Sequence, residues 1–108
     1  MALDIHLSSN EKEAPYKNPS ASFEEQAHEL IFDRFGVSEG KFPLFRRMED
    51  FYKDTKYRNG ELHILIGEIE EIKKIYVKNT YLIIQLNSIL AACKKAQREK
   101  ISIWVYCD

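Results

Sequence analysis

The stretch Asn79–Lys100, NTYLIIQLNSILAACKKAQREK, limits the fold more than any other part of the chain. Leu82, Leu86, Ile89, Cys93 and Ala96 recur at the spacing of one helix face, and Ile83, Leu90 and Ala92 widen that face beyond what a single partner helix covers. A helix this apolar needs cover on more than one side, which makes it the central element of a small layered domain. Asn79 or Thr80 can cap its start. Lys94, Lys95, Arg98 and Lys100 gather near its end, where the helix dipole favours cations.

Strict alternation at the two ends of the sequence supplies the other layer. Leu3, Ile5 and Leu7 share one face of a strand over Ala2–Leu7, with Asp4 and His6 on the other. Ile101, Ile103 and Val105 do the same for Ile101–Tyr106, opposite Ser102, Trp104 and Tyr106. Neither strand can satisfy its backbone alone, so the two are expected in one sheet. The fold class is therefore α+β: a small sheet containing the N- and C-terminal strands, packed against three or four helices. A chain of 108 residues is one domain, 1–108, with a polar, Pro-bearing loop or flap at 8–21.

Between these anchors the pattern is less sharp. Ser22 and Glu25 have capping-box spacing, and Phe23, Ala27, Leu30 and Ile31 can line a helix running to about Phe35; an extended 27–35 is the alternative. Pro43 suits the first turn of a second helix, with Leu44, Phe45, Met48, Phe51 and Tyr52 on its apolar side, ending near the turn signal Asn59-Gly60. From Glu61 a third helix follows with Leu62, Leu65, Ile66, Ile69, Ile72, Ile75 and Tyr76 inward, and Glu68, Glu70, Glu71, Lys73 and Lys74 toward solvent. Glu70 and Lys74 are set for an i,i+4 pair, and Gly67 would admit a close contact with the central helix.

Composition narrows the function classes. A formal net charge of -1 gives no general attraction to nucleic acid or anionic lipid. No apolar run reaches the length of a membrane span, and MALDIHLSSNEKE lacks the basic flank and apolar run of a secretory signal, so a cytoplasmic location is expected. Cys93 and Cys107 match neither a disulfide framework nor a zinc signature, and neither a cofactor nor a metal is expected.

Three groups of side chains could carry chemistry. Glu24 and His28, four apart, would share a helix face, with Glu25 and Glu29 repeating the spacing; His28 could move protons near neutral pH. Asp50 and Asp54 lie four apart beyond Arg46 and Arg47 and could hold a divalent ion or act as an acid/base pair. Trp104 and Tyr106 could present an aromatic face to a partner. Charge is uneven: residues 1–40 carry eight acidic and three basic side chains, residues 41–60 three acidic and six basic. Lys41, Arg46, Arg47, Lys53, Lys56 and Arg58, with Tyr52 or Tyr57 stacking on bases, would be the nucleic-acid reading, weakened by the interspersed Glu49, Asp50 and Asp54.

The segments His28-Glu29-Leu30-Ile31-Phe32, Pro43-Leu44-Phe45-Arg46-Arg47-Met48-Glu49-Asp50-Phe51-Tyr52-Lys53-Asp54 and Ile103-Trp104-Val105-Tyr106-Cys107-Asp108 together resemble a small bacterial α+β domain family without an established activity. The resemblance covers most of the chain and brings no site residues with it. Small α+β proteins of this character include immunity proteins that neutralise bacterial toxins. The expected function is thus a protein-binding module, in its most specific form an immunity-like inhibitor. Glu24, Glu25 and Glu29 would steer the partner, and Tyr52, Tyr57, Trp104 and Tyr106 would anchor it. A homo-oligomer is the other partner considered. Metal-assisted hydrolysis through His28, Asp50 and Asp54 is the enzyme alternative.

Overall fold

The computed structural model describes residues 2–9, 19–34, 41–50 and 52–107. Its centre is the pair predicted from alternation: β1 (Ala2–Ser8) and β4 (Ser102–Cys107) run antiparallel, with Leu3 opposite Cys107 and Ser8 opposite Ser102. A short strand flanks each. β2 (Ala21–Glu24) pairs with β1 and β3 (Thr55–Tyr57) with β4, giving the antiparallel order β2-β1-β4-β3. One face carries Leu3, Ile5, Leu7, Phe23, Tyr57, Ile103 and Val105, all buried in the core.

Among the described residues three α-helices pack with the sheet, the short α1 (Glu25–His28) beside β2 and two longer ones beyond it. α2 (Leu62–Ile75) packs against α3 (Thr80–Glu99), and α3 lies across β1, β2 and β4. The wide stripe on α3 is used nearly as expected: Leu82, Leu86, Ile89, Leu90, Ala92, Cys93 and Ala96 are all buried, while Ile83 is half-buried. Asn79 is the cap, its side-chain oxygen accepting the Leu82 N–H at 3.0 Å. At the other end Lys100 turns left-handed (φ 57°), the Ile101 N–H reaches Ala96 O at 3.1 Å and the Lys100 N–H reaches Gln97 O at 3.3 Å. This paired closure satisfies the last carbonyls and redirects the chain into β4. The Asn59 amide then ties the joint down, donating to Ala96 O at 3.2 Å and Ile101 O at 3.0 Å. The Asn59-Gly60 turn signal is thus a 3-10 turn, Asn59–Glu61, that also staples α3 to the sheet.

Several expectations for the middle of the chain are corrected. Ser22 caps nothing; it sits in β2 opposite Asp4, and its hydroxyl donates to Asp4 Oδ1 at 3.0 Å. The helix begins only at Glu25. α1 (Glu25–His28) widens at once into a π-helix over Glu29–Arg34, so 27–34 is helical and not extended. The expected helix after Pro43 shrinks to one 3-10 turn, Phe45–Met48. Glu68, read as solvent-facing, is buried and accepts the N–H groups of Phe45 (2.8 Å) and Leu44 (3.3 Å) at the start of that turn. Gly67 makes no close helix contact: it is exposed, and a Cβ there would meet nothing within 4 Å. Glu70 pairs with Lys73 (3.9 Å) and Lys94 (3.7 Å) instead of Lys74, which pairs with Glu71 at 3.3 Å. The part of the expected flap at 10–18 lies outside the described residues.

The opposite sheet face is not an open aromatic surface. Trp104 is only 7% exposed, and its indole N–H donates to Ser8 O at 3.0 Å. The Lys56 ammonium sits 4.5 Å over the Trp104 ring, and Tyr106 meets His6 edge-on at 5.5 Å. No helix among the described residues is long and apolar enough to cross a membrane.

Candidate functional site

Local sequence explains how an acidic wall forms where β2 turns into α1. The Glu24 N–H donates to Gln85 Oε1 at 3.0 Å and its carboxylate accepts the Tyr81 hydroxyl at 2.5 Å, which fixes the strand end to α3. Burial, then the Glu24 carboxylate, pushes the Tyr81 hydroxyl up to about 12. Beyond this anchor, Ala27, His28, Ile31 and Phe32 turn inward. Glu25, Glu29 and Asp33, spaced by four, remain on the outer side of the α-to-π segment.

His28 connects this wall to the next. Its Nε2–H donates to Met48 O at 2.7 Å, and its ring packs against Phe32 (centroids 4.7 Å apart) and edge-on to Phe23 (6.3 Å). Met48 ends the 3-10 turn, so this bond places the following Glu49, Asp50 and Tyr52 across from Glu25 and Glu29. Asp50 Oδ1 accepts the Tyr52 N–H at 3.1 Å, a local turn that stops any helix from continuing. The result is a concavity of about 280 Å³ lined by Glu25, His28, Glu29, Asp33, Glu49, Asp50 and Tyr52. Among the described residues its lining carries five carboxylates and no lysine or arginine; Arg46, 2.7 Å from Glu49, offsets one of them from outside. Tyr52 is 73% exposed at this site.

The structure thus brings His28 and Asp50 into one concavity with Glu25, Glu29 and Tyr52, but leaves Asp54 outside the lining. Glu24 is occupied by Tyr81. Among the described residues, no group of three or more His, Cys, Asp and Glu side chains is arranged to hold a metal ion. Tyr57 is corrected from surface anchor to core: it is fully buried, and its hydroxyl donates to Leu44 O at 2.6 Å. Burial drives its ionisation far above the ordinary tyrosine range. Trp104 is buried and Tyr106 half-buried, so neither offers a full ring face. Two lining residues were missed from sequence. Asp33 continues the Glu25/Glu29 spacing and was findable on that signal; Glu49 adjoins Asp50, but nothing in the sequence sets that segment against Glu25 and Glu29.

A second concavity, of about 530 Å³, is lined by Arg47, Lys56, Arg58 and Glu61. Arg46 and Arg47 are neighbours on the 3-10 turn but diverge, one to Glu49 and the other to Glu61. The Arg47–Glu61 fork closes with Nη2···Oε2 at 2.7 Å and Nη1···Oε1 at 3.2 Å. That hydrogen bonding raises Arg47 above its ordinary value and holds Glu61 below the usual carboxylate range. No family model, curated protein or solved structure matches the chain.

Proposed function

We propose that this chain is a protein-binding module that presents the acidic concavity to a basic protein surface, in the manner of an immunity-like inhibitor covering a toxin. The observation that carries the reading is the lining itself: among the described residues five carboxylates converge with no lining cation, and an exposed tyrosine stands among them. Convergent negative charge steers a basic partner toward the site, and an exposed aromatic ring supplies the anchor that charge alone does not. On this reading Glu25, Glu29 and Asp33 set the encounter rate, while Tyr52 governs the lifetime of the complex. The partner is taken to be a cytoplasmic bacterial protein, in keeping with the family outline that the sequence resembles.

The test is capture from the native cell followed by binding kinetics on the purified pair. Glu25→Lys, Glu29→Lys and Asp33→Lys alter exposed side chains and leave the Glu24–Tyr81 anchor and the Asp50 turn intact. A stoichiometric complex should associate more slowly as salt rises and lose affinity in the triple variant. Retention of full affinity by that variant would sink the proposal. The enzyme alternative is favoured by one observation, that His28 and Asp50 line the same concavity. It requires turnover that stops on chelation and on Asp50→Asn, whereas the binding module keeps its complex in chelator.

A further inference from the structure

The geometry points to a second binding site, for a compact doubly charged oxyanion of the phosphate class, in the concavity at the β3 edge of the sheet. It stands independently of the acidic site, because the neighbouring Arg46 and Arg47 lead to opposite partners. Lys56 and Arg58 flank Tyr57 in an extended segment, so with Tyr57 buried inward their side chains leave on the same outer side. Arg47 joins them from the 3-10 turn. The described lining carries three cations and one carboxylate, a net charge of +2.

Two of the three cations are held before any ligand arrives. The Arg47 guanidinium is clamped by Glu61, reaches Lys56 O at 3.5 Å and lies 5.6 Å from the centroid of the Tyr57 ring. This leaves its Nε–H and one Nη2 hydrogen without a protein acceptor among the described residues. The Lys56 ammonium is set over Trp104 at 4.5 Å. The Arg58 side chain is exposed and makes no ion pair among the described residues; its backbone is engaged with Glu61, the N–H donating to Glu61 Oε1 at 3.0 Å and the carbonyl accepting the Glu61 N–H at 2.9 Å. A ligand would therefore order one side chain, not three, which lowers the entropic cost of binding.

The charge left over sets the ligand. Glu61 is neutralised by its fork with Arg47, so Lys56 and Arg58 supply two positive charges, which a dianion matches and a carboxylate or chloride does not. A nucleic-acid strand fits poorly: of the six basic residues between 41 and 60, three line the concavity, and Arg46 is committed to Glu49. Among the described residues no stacking platform lines this concavity either, since Tyr57 is fully buried, Trp104 lies under Lys56 and Tyr52 lines the acidic concavity. A single phosphoryl group, free or esterified, has the size and charge that remain.

Backbone amide NMR of the 108-residue chain tests this with two probes, inorganic phosphate and O-phosphoserine, each against sodium chloride at matched ionic strength. The amides of residues 56–61 should move saturably with either phosphate probe and not with chloride. Arg58→Gln alone should weaken binding about tenfold, the loss of one charge-assisted contact, and Lys56→Gln with Arg58→Gln should abolish saturation. Tighter binding of O-phosphoserine identifies an esterified ligand, and equal binding identifies free phosphate; both support the site. Shifts that stay linear and match those in chloride overturn it. So does an Arg58→Gln protein with wild-type spectral dispersion and unchanged affinity.

Discussion

Replacing Glu68 separates the two ways in which a buried carboxylate can act. Its oxygens accept the Phe45 N–H at 2.8 Å and the Leu44 N–H at 3.3 Å, the first donors of the 3-10 turn that carries Arg46, Arg47 and Met48. A hydrogen bond to a charged acceptor contributes about 1.5–3 kcal/mol, with the longer bond near the lower end. Against this stands the desolvation of the carboxylate itself, which truncation relieves. In Glu68→Ala the fully buried Phe45 N–H loses its partner, and a void opens beside α2; a net loss of about 3 kcal/mol follows. Glu68→Gln keeps one acceptor and turns a donor toward the other N–H, so about half of that loss is expected. For a domain of this size the alanine protein should melt lower by about 12 °C or more. Urea unfolding should show the midpoint falling in the order wild type, Gln, Ala, with the slope unchanged. Equal stability of Ala and wild type would refute the capping role, and equal stability of Gln and wild type would show that the charge contributes nothing.

Four further outcomes follow from local geometry. Gly67→Ala should stabilise by about 1 kcal/mol, since the position is exposed, helical and free of any atom within 4 Å of the added carbon; calorimetry should show a higher Tm. Lys100→Gly should also stabilise, by roughly 0.5–1 kcal/mol, by relieving the left-handed φ of 57° at the end of α3, and loss of stability would contradict the closure described. Because Glu61 has a folded pKa below its unfolded one, the Arg47 fork contributes stability above the ordinary glutamate value and loses it as pH falls through the folded value. With side-chain exposures of 41% and 28% for Arg47 and Glu61, screening limits this to about 0.5–1 kcal/mol, so acid unfolding of Glu61→Gln should lack that component. The Cys93 thiol, pushed up to about 12 by burial, should alkylate at pH 8 only as fast as the protein opens; labelling at the rate of a free thiol would place it at the surface.

What could be read from the sequence was whatever repeats over a long enough span. Leu3, Ile5 and Leu7, Ile103 and Val105, and the α3 stripe apart from Ile83 are buried where their periods assign them; Ile83 and Ile101, the latter just outside β4, are half-buried. The failures are short elements stabilised from elsewhere. β2 has four residues and β3 three, and both exist because β1 and β4 offer unpaired edges distant in sequence. Ser22 and Glu25 mimic a helix start, but the ladder to β1 outweighs that local preference. Tyr57 stands between Lys56 and Arg58 and so resembles a surface residue until the two-residue period of a strand is applied. The acidic site was half legible: the spacing of Glu25 and Glu29 pointed to it, whereas the arrival of Asp50 depends on His28 reaching Met48 O across the fold.

Placing β1 beside β4 has a consequence for the order of events during synthesis. Every residue pair in that central ladder joins the beginning of this sequence to its end, from Leu3 with Cys107 to Ser8 with Ser102. The α2–α3 hairpin can assemble as soon as it emerges, but the ladder between β1 and β4 must wait for a strand that follows α3, and β3 has no partner in the sheet until the same moment. Such non-local closure slows folding relative to a helical domain of equal size. A chain arrested before Ser102 would therefore hold a helical hairpin above two unpaired strand edges, a species that invites aggregation and chaperone capture.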